Sequence, residues 1–375
     1  MTRISANQRV ARLSQSPIRA MTQRCNELGG VNLGQGICDT PPPRAVLDGV
    51  APAIARGENS YTRYDGIDRL RAILARKIAR YNGIHADPDT EVVATAGSTG
   101  AFTATITALL EPGDRILLFE PYYGYHYSAA QVVGLQPDTV ALNPEDMTLD
   151  LSALETKASG ARALVINTPG NPSGRVFTRH EMEQIADVCQ RHDLLCITDE
   201  IYEYFLFDQR KHLSMATLPG MWDRTVTISG YSKAFSITGW RMGYLVAPAS
   251  LSGPIGLVND LYYVCVPSIV QHAVADAIEQ LDDDFYRGLA QENQDRRDRF
   301  CSVLDEVGLT PRVPEGAYYV LADVSRLGCK SAPEAAMKLL EHVGVAGIPG
   351  SAFYQSHHGD QLIRFCFGKD DHVLE

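Results

Sequence analysis

Gly230-Tyr231-Ser232-Lys233-Ala234-Phe235-Ser236-Ile237-Thr238-Gly239-Trp240-Arg241-Met242-Gly243 follows directly on a short β-rich apolar run, Val226–Ser229. Lys233 therefore stands just past a strand end among small residues, with Gly239 and Arg241 downstream. Further apolar runs flank this stretch at Glu91–Thr95, Arg115–Phe119, Ala163–Asn167, Leu194–Thr198 and Gly243–Val246, and helical patterns separate them. Strands alternating with helices predict an α/β chain with a mostly parallel central sheet covered by helices. The clearest helix starts after Thr178, with Glu181 placed for a capping box and Met182, Ile185, Ala186 and Cys189 on one face.

In an open sheet of this kind, ligands bind outside the carboxyl ends of the strands. The first run leads into Ala96-Gly97-Ser98-Thr99-Gly100 and then a helical pattern, a small-residue turn whose backbone N–H groups can face a phosphate; a tight turn without any ligand has the same sequence. Ala163–Asn167 leads into Thr168-Pro169-Gly170-Asn171-Pro172, where Asn171 either donates to an oxygen in the cleft or closes an Asx-turn. Leu194–Thr198 delivers Asp199 and Glu200. One of these carboxylates is expected to stay in water and the other to face a cationic partner or cap a helix.

The stretch around Lys233 resembles the cofactor-lysine signature of class I pyridoxal-phosphate-dependent aminotransferases, the aspartate aminotransferase fold family. Other motifs of that family recur in order: Asn32-Leu33-Gly34-Gln35-Gly36, Tyr61-Thr62-Arg63-Tyr64, Asn171-Pro172, Asp199-Glu200-Ile201-Tyr202, Pro314-Glu315-Gly316-Ala317-Tyr318-Tyr319, Pro349-Gly350 and Ile363-Arg364-Phe365. The Asn-Leu-Gly-Gln-Gly form and Glu120-Pro121-Tyr122-Tyr123 resemble most the kynurenine and glutamine aminotransferase branch. The resemblance implies the type I fold of pyridoxal-phosphate transferases, with pyridoxal 5′-phosphate as cofactor and an amino acid and a 2-oxo acid as substrates. It implies that Lys233 holds the cofactor covalently and moves the proton, that Asp199 faces the pyridine nitrogen, that Tyr202 and Asn171 bond the ring oxygen, and that Tyr123 stacks on the ring. Ser98, Thr99, Arg241 and, from a second subunit, Tyr64 are implied for the phosphate, and Arg364, Gly36 and Asn171 for the substrate carboxylate. An obligate homodimer with shared sites follows from Tyr64. One departure stands out: many relatives carry a serine where this chain has Gly230, which shifts phosphate binding toward Ser98, Thr99 and Arg241.

Two segments fall outside the strand–helix alternation, so two bodies are expected, a large cofactor domain over residues 46–265 and a smaller α+β domain from residues 1–45 and 266–375, with the Pro311–Pro314 turn as a break inside the latter. The segments expected to line the substrate cleft, Gln35–Asp39, Tyr122–Tyr125 and Leu261–Ser268, contain no Lys or Arg. That predicts uncharged aromatic or sulfur-containing donors in preference to aspartate, since a second buried carboxylate requires a cation. A carbon–sulfur β-lyase shares the same lysine and arginine and is the alternative chemistry. The last residues, Asp370–Glu375, stand where the family completes a final amphipathic helix.

Composition narrows the classes. A net charge of −11 opposes broad contact with nucleic acid or anionic lipid, and with about 30 residues before Asn32 it argues against a DNA-binding regulator. Eight cysteines without a C-x-x-C pair read as small buried hydrophobes in a reducing compartment, and no metal site is read. No run of eighteen apolar residues and no signal-peptide core occurs, so a cytoplasmic location is expected.

Overall fold

The computed structural model describes residues 7–11, 13 and 15–375. Seven strands form the central sheet in the order Val92–Ala96, Met242–Val246, Thr225–Gly230, Leu195–Asp199, Ala163–Asn167, Arg115–Glu120, Gln136–Ala141. Only Met242–Val246 runs against the others. The inner strands are covered on both faces, which is why they read as unbroken apolar runs rather than as alternating ones. On one face Val93, Ile197, Val226 and Leu245 pack against the helices Gly97–Leu109 and Ala249–Tyr263. On the other, Leu164, Ile166 and Cys196 meet Met182, Ile185 and Cys189 of the helix Arg179–Arg191, whose capping box at Thr178 and Glu181 is formed.

The strand Gln136–Ala141 has no counterpart in the sequence reading. It lies at the sheet edge, contains Pro137 and Asp138, and fully buries only Val140. An edge strand tolerates proline and needs no apolar run. The same physics corrects the reading of Pro311 as a break: Thr310–Arg312 is an edge strand of a four-stranded sheet, in the order Ile348–Pro349, Leu362–Cys366, Tyr319–Asp323, Thr310–Arg312.

Val31–Asn32 pairs in parallel with Val345–Ala346, and the helix Pro17–Leu28 packs beside both, so the N-terminal segment joins the C-terminal part of the chain. The helix Ser268–Gln280 instead packs on Arg44–Asp48, Val50–Ala55 and Asp68–Tyr81, where Val274, Ala275 and Ala277 share a core with Val46, Leu70 and Leu74. That helix lies C-terminal to residue 265 yet belongs to the layer covering the large sheet. No helix among the described residues is long and apolar enough to cross a membrane.

Candidate active site

Five strand exits converge on one edge of the large sheet and deliver Ser98 and Thr99, Tyr123, Asn171, Asp199 and Tyr202, and Lys233. Arg241 arrives differently. Because Met242–Val246 runs antiparallel, its beginning lies at the edge where its neighbours end, and the residue before it points into the same space. These side chains line a cavity of about 460 Å³ together with Gly36, Tyr319 and Arg364 from the smaller body.

Lys233 Nζ donates to the Gly36 carbonyl at 3.1 Å and lies 5.8 Å and 5.7 Å from the ring centres of Tyr202 and Tyr318. Burial among these groups holds the ammonium below its ordinary range, which favours the neutral, nucleophilic amine. Asp199 Oδ2 meets His126 Nε2 at 3.1 Å, and its Oδ1 accepts from the Ile201 N–H at 3.2 Å. Asn167 links the neighbouring exits: its Oδ1 accepts from the Asn171 N–H at 2.7 Å, and its Nδ2 donates to the Asp199 carbonyl at 3.0 Å. The Tyr202 and Tyr319 hydroxyls are 2.9 Å apart. Burial raises both phenols, Tyr319 to about 12, so both remain neutral donors at physiological pH.

Arg364 is buried, with 1 % of its surface exposed. Its Nη1 donates to Asn171 Oδ1 at 2.8 Å, its Nη2 donates to the Gly34 carbonyl, and its plane lies 4.4 Å from the Tyr319 ring centre and 4.9 Å from that of Phe353. The third guanidinium nitrogen, Nε, is buried without a partner. Asn171 therefore does not close an Asx-turn; its oxygen is committed to Arg364, leaving its amide N–H₂ to donate elsewhere.

At the opposite end, Gly97 opens the helix Gly97–Leu109 at φ 73°, and a Cβ there would stand 2.3 Å from Arg241 Nη2. The absence of that Cβ lets the guanidinium lie across a helix N-terminus whose first N–H groups have no intrahelical partner. Arg241 is itself held by the Thr238 and Ala96 carbonyls, at 2.8 and 3.3 Å.

The chain belongs to the class I and II aminotransferases. The family model for aminotransferase class I and II matches residues 29–375. Among its relatives, kynurenine–oxoglutarate transaminase 3 of Mus musculus is 35 % identical over 376 residues, covering 92 % of this chain and 82 % of the relative. The N-succinyldiaminopimelate aminotransferase of Mycobacterium tuberculosis superposes with a TM-score of 0.95 at 35 % identity, over 99 % of this chain and 97 % of that one. YbdL from Escherichia coli, for which a methionine aminotransferase function is identified, gives 0.94 at 31 % identity over 99 % and 97 %. The protein is thus a pyridoxal-phosphate-dependent transferase of the aspartate aminotransferase fold, similar to the kynurenine transaminase branch. The cavity fits that cofactor on its own terms: a buried amine held low, a paired buried carboxylate, an arginine at a helix N-terminus, and a buried guanidinium with a donor to spare.

Two sequence expectations change here, the solvated carboxylate and the cleft lining. Glu200 is not solvated: it is fully buried on the far side of the turn, bonded by His212 Nε2 and Ser214 Oγ at 2.6 Å each. Beside it Glu203 meets Lys77 at 2.6 Å, so Glu200, Glu203 and His212 form a polar core that already holds a cation. Tyr64, expected to serve a second subunit's site, lies outside the cavity of its own chain; it packs against Gly256, and its carbonyl accepts from Asn259. Of the expected cleft segments only Gln35, Gly36, Ile37, Tyr123 and Tyr125 line the cavity. Tyr262, Tyr263 and Val264 are exposed on or beside the helix Ala249–Tyr263, while Ile18 and Arg19 enter from the helix Pro17–Leu28. His126 and Tyr319 carried no assigned role in the sequence. Tyr319 lies within a quoted motif, but nothing in the sequence aims His126 at Asp199.

Proposed function

We propose that this aminotransferase works by a ping-pong cycle at the cavity around Lys233, passing the amino group of an L-amino acid to a 2-oxo acid. The convergence of Lys233, Asp199, Arg241 and Arg364 on one cavity carries the reading. Pyridoxal phosphate, when bound, supplies an aldehyde for covalent attachment and a ring that draws electrons from the substrate Cα. Arg241 and the N–H groups of Ser98 and Thr99 hold the phosphate by charge-assisted bonds. Asp199, oriented by His126, would keep the ring nitrogen protonated, and Tyr123 would offer an aromatic face. Tyr202 and the free amide of Asn171 would donate to the ring oxygen. Arg364 grips the α-carboxylate through donors that include its unpartnered Nε, with Gly36 and Asn171 completing the grip. Lys233, whose amine would hold the cofactor covalently, is the buried base within reach of the substrate Cα and would carry the proton taken from it.

A homodimer supports this site. Tyr64 packs against Gly256 of the helix Ala249–Tyr263, which bears the exposed apolar side chains of Leu257, Leu261 and Tyr262, and exposed apolar surface of this kind marks protein–protein contact. Its hydroxyl is proposed to complete the phosphate site of the second subunit. All eight cysteines are free, which suits the cytoplasm.

The proposed donors are uncharged, aromatic or sulfur-containing. Ile18, Ile37, Tyr123, Tyr125 and Ile201 give the cavity apolar and aromatic walls, and a short acidic side chain finds no cation among them. A comparison of kcat/KM for phenylalanine, methionine, glutamine and aspartate against one 2-oxo acid tests this. Aspartate ahead by tenfold, about 1.4 kcal/mol, overturns the donor preference. Release of pyruvate and ammonia from a cysteine conjugate without an acceptor would favour the lyase instead.

A further inference from the structure

A second cavity, of about 440 Å³, opens beside the helix Asp283–Glu306 and shares no lining residue with the one around Lys233. Its volume suits one small molecule. Tyrosines wall it: Tyr204 stacks on Tyr286 with ring centres 4.1 Å apart, and Tyr81 lies 4.6 Å from Tyr204. The Tyr81 hydroxyl is turned inward and donates to the Glu203 carbonyl at 2.7 Å, while Tyr204 and Tyr286 are buried, so these walls are fixed before any ligand arrives.

Four cationic side chains, Arg80, Arg210, Lys211 and Arg287, line this cavity against one carboxylate, Asp283, in a chain of net charge −11. That balance repels a cation and draws in an anion. The arginines are committed: Arg80 pairs with Asp283 at 3.0 Å, Arg210 with Glu315 at 2.5 Å, and Arg287 with Asp284. Lys211 is exposed at the rim and makes no ion pair or side-chain hydrogen bond among the described residues. His212 supplies the second uncommitted donor. Its side chain is 3 % exposed, its Nε2 meets Glu200 at 2.6 Å and Ser214 Oγ at 3.3 Å, and its Nδ1 has no partner among the described residues. The ring lines the cavity parallel to Tyr81, with 11° between the planes and centres 6.1 Å apart. Burial disfavours a charge on this ring, but the Glu200 carboxylate outweighs it and raises the pKa above the ordinary value, which favours the imidazolium with a proton on Nδ1.

We propose that this cavity is a second ligand site of the enzyme, one that takes a planar aromatic carboxylate, its ring against the tyrosine walls and its carboxylate received by Lys211 and His212 Nδ1. Ring-on-ring packing adds to simple burial of area, and a hydrogen bond between two ionised groups is roughly twice as strong as a neutral one. The site stands apart from the chemistry at Lys233.

Calorimetry with 1-naphthoate and its neutral amide tests this on holoenzyme whose active site has been filled with aminooxyacetate. One naphthoate per chain is expected to bind, about fivefold or more tighter than the amide. Lys211→Met should weaken naphthoate by about threefold or more and leave the amide unchanged. Ala290→Trp, which fills the cavity from the helix Asp283–Glu306, should abolish binding of both, and Lys330→Met, the same change of charge outside the cavity, should bind as wild type does. No naphthoate bound at millimolar concentration, equal binding of acid and amide, binding unchanged in either Lys211→Met or Ala290→Trp, or an equal loss in Lys330→Met overturns the proposal. Lys211 lies on the surface, so its arm decides the matter even where Ala290→Trp does not fold.

Discussion

Replacing Gly36 by alanine perturbs the inner end of the cavity without touching any charged group. A Cβ at this position would lie 1.7 Å from the Tyr319 hydroxyl and 2.6 Å from the ring carbon that carries it, so Tyr319 has to swing away. That motion breaks the 2.9 Å bond to the Tyr202 hydroxyl, worth about 0.5–1.5 kcal/mol, and removes the ring from its place 4.4 Å from Arg364, worth about 0.5–2 kcal/mol. The two terms together weaken the hold on the substrate carboxylate by about 1–3.5 kcal/mol, roughly a five- to 400-fold loss of kcat/KM. The loss should be similar for every donor, because all present the same α-carboxylate to Arg364. Gly124→Ala serves as the control: its added Cβ meets nothing closer than 3.8 Å and should be nearly silent. Steady-state kinetics with three unlike donors make the measurement. A Gly36→Ala enzyme within twofold of wild type, or a loss that follows the donor side chain, refutes the reasoning.

Borohydride reduction of the holoenzyme and peptide mapping should place the pyridoxyl label on Lys233, and a label on another lysine would contradict the assignment. Burial holds the Lys233 ammonium low, so between that lowered value and about 10.4 the unfolded chain binds more protons than the folded one; apoenzyme stability should rise with pH across this window, and Lys233→Met should flatten the rise in urea titrations. Mixing inactive Tyr64 and Lys233 variants should restore part of the activity through hybrid dimers, whereas full activity of a dilute monomer argues against shared sites. Lys77→Met leaves Glu203 as an uncompensated buried charge and should cost about 3–5 kcal/mol in chemical denaturation. Adding Glu203→Gln should recover at least half of that, since the amide keeps hydrogen-bonding capacity toward Asn82 and Ser229.

The amino-acid sequence by itself determined the parallel α/β plan, the strand exits and the ordered motifs around Lys233, Asp199, Asn171 and Arg364, because each is a local matter of turn chemistry, strand length and spacing. It also carried the helix at Thr178, whose capping box depends on residues three apart. What the tertiary structure decided were relations with no local signature. Gln136–Ala141 is a strand because a neighbour supplies its hydrogen bonds, and Arg241 enters the site because one strand runs backward. Glu200 and Asp199 are adjacent in sequence, yet the turn sends one into a polar core with His212 and the other to His126 in the cavity. Arg19 lines the substrate cavity only because the helix that bears it folds back from the N-terminus against the C-terminal part of the chain. Charge balance inside a cleft is a sum over side chains far apart in sequence, so it is set by packing and cannot be read from any one segment.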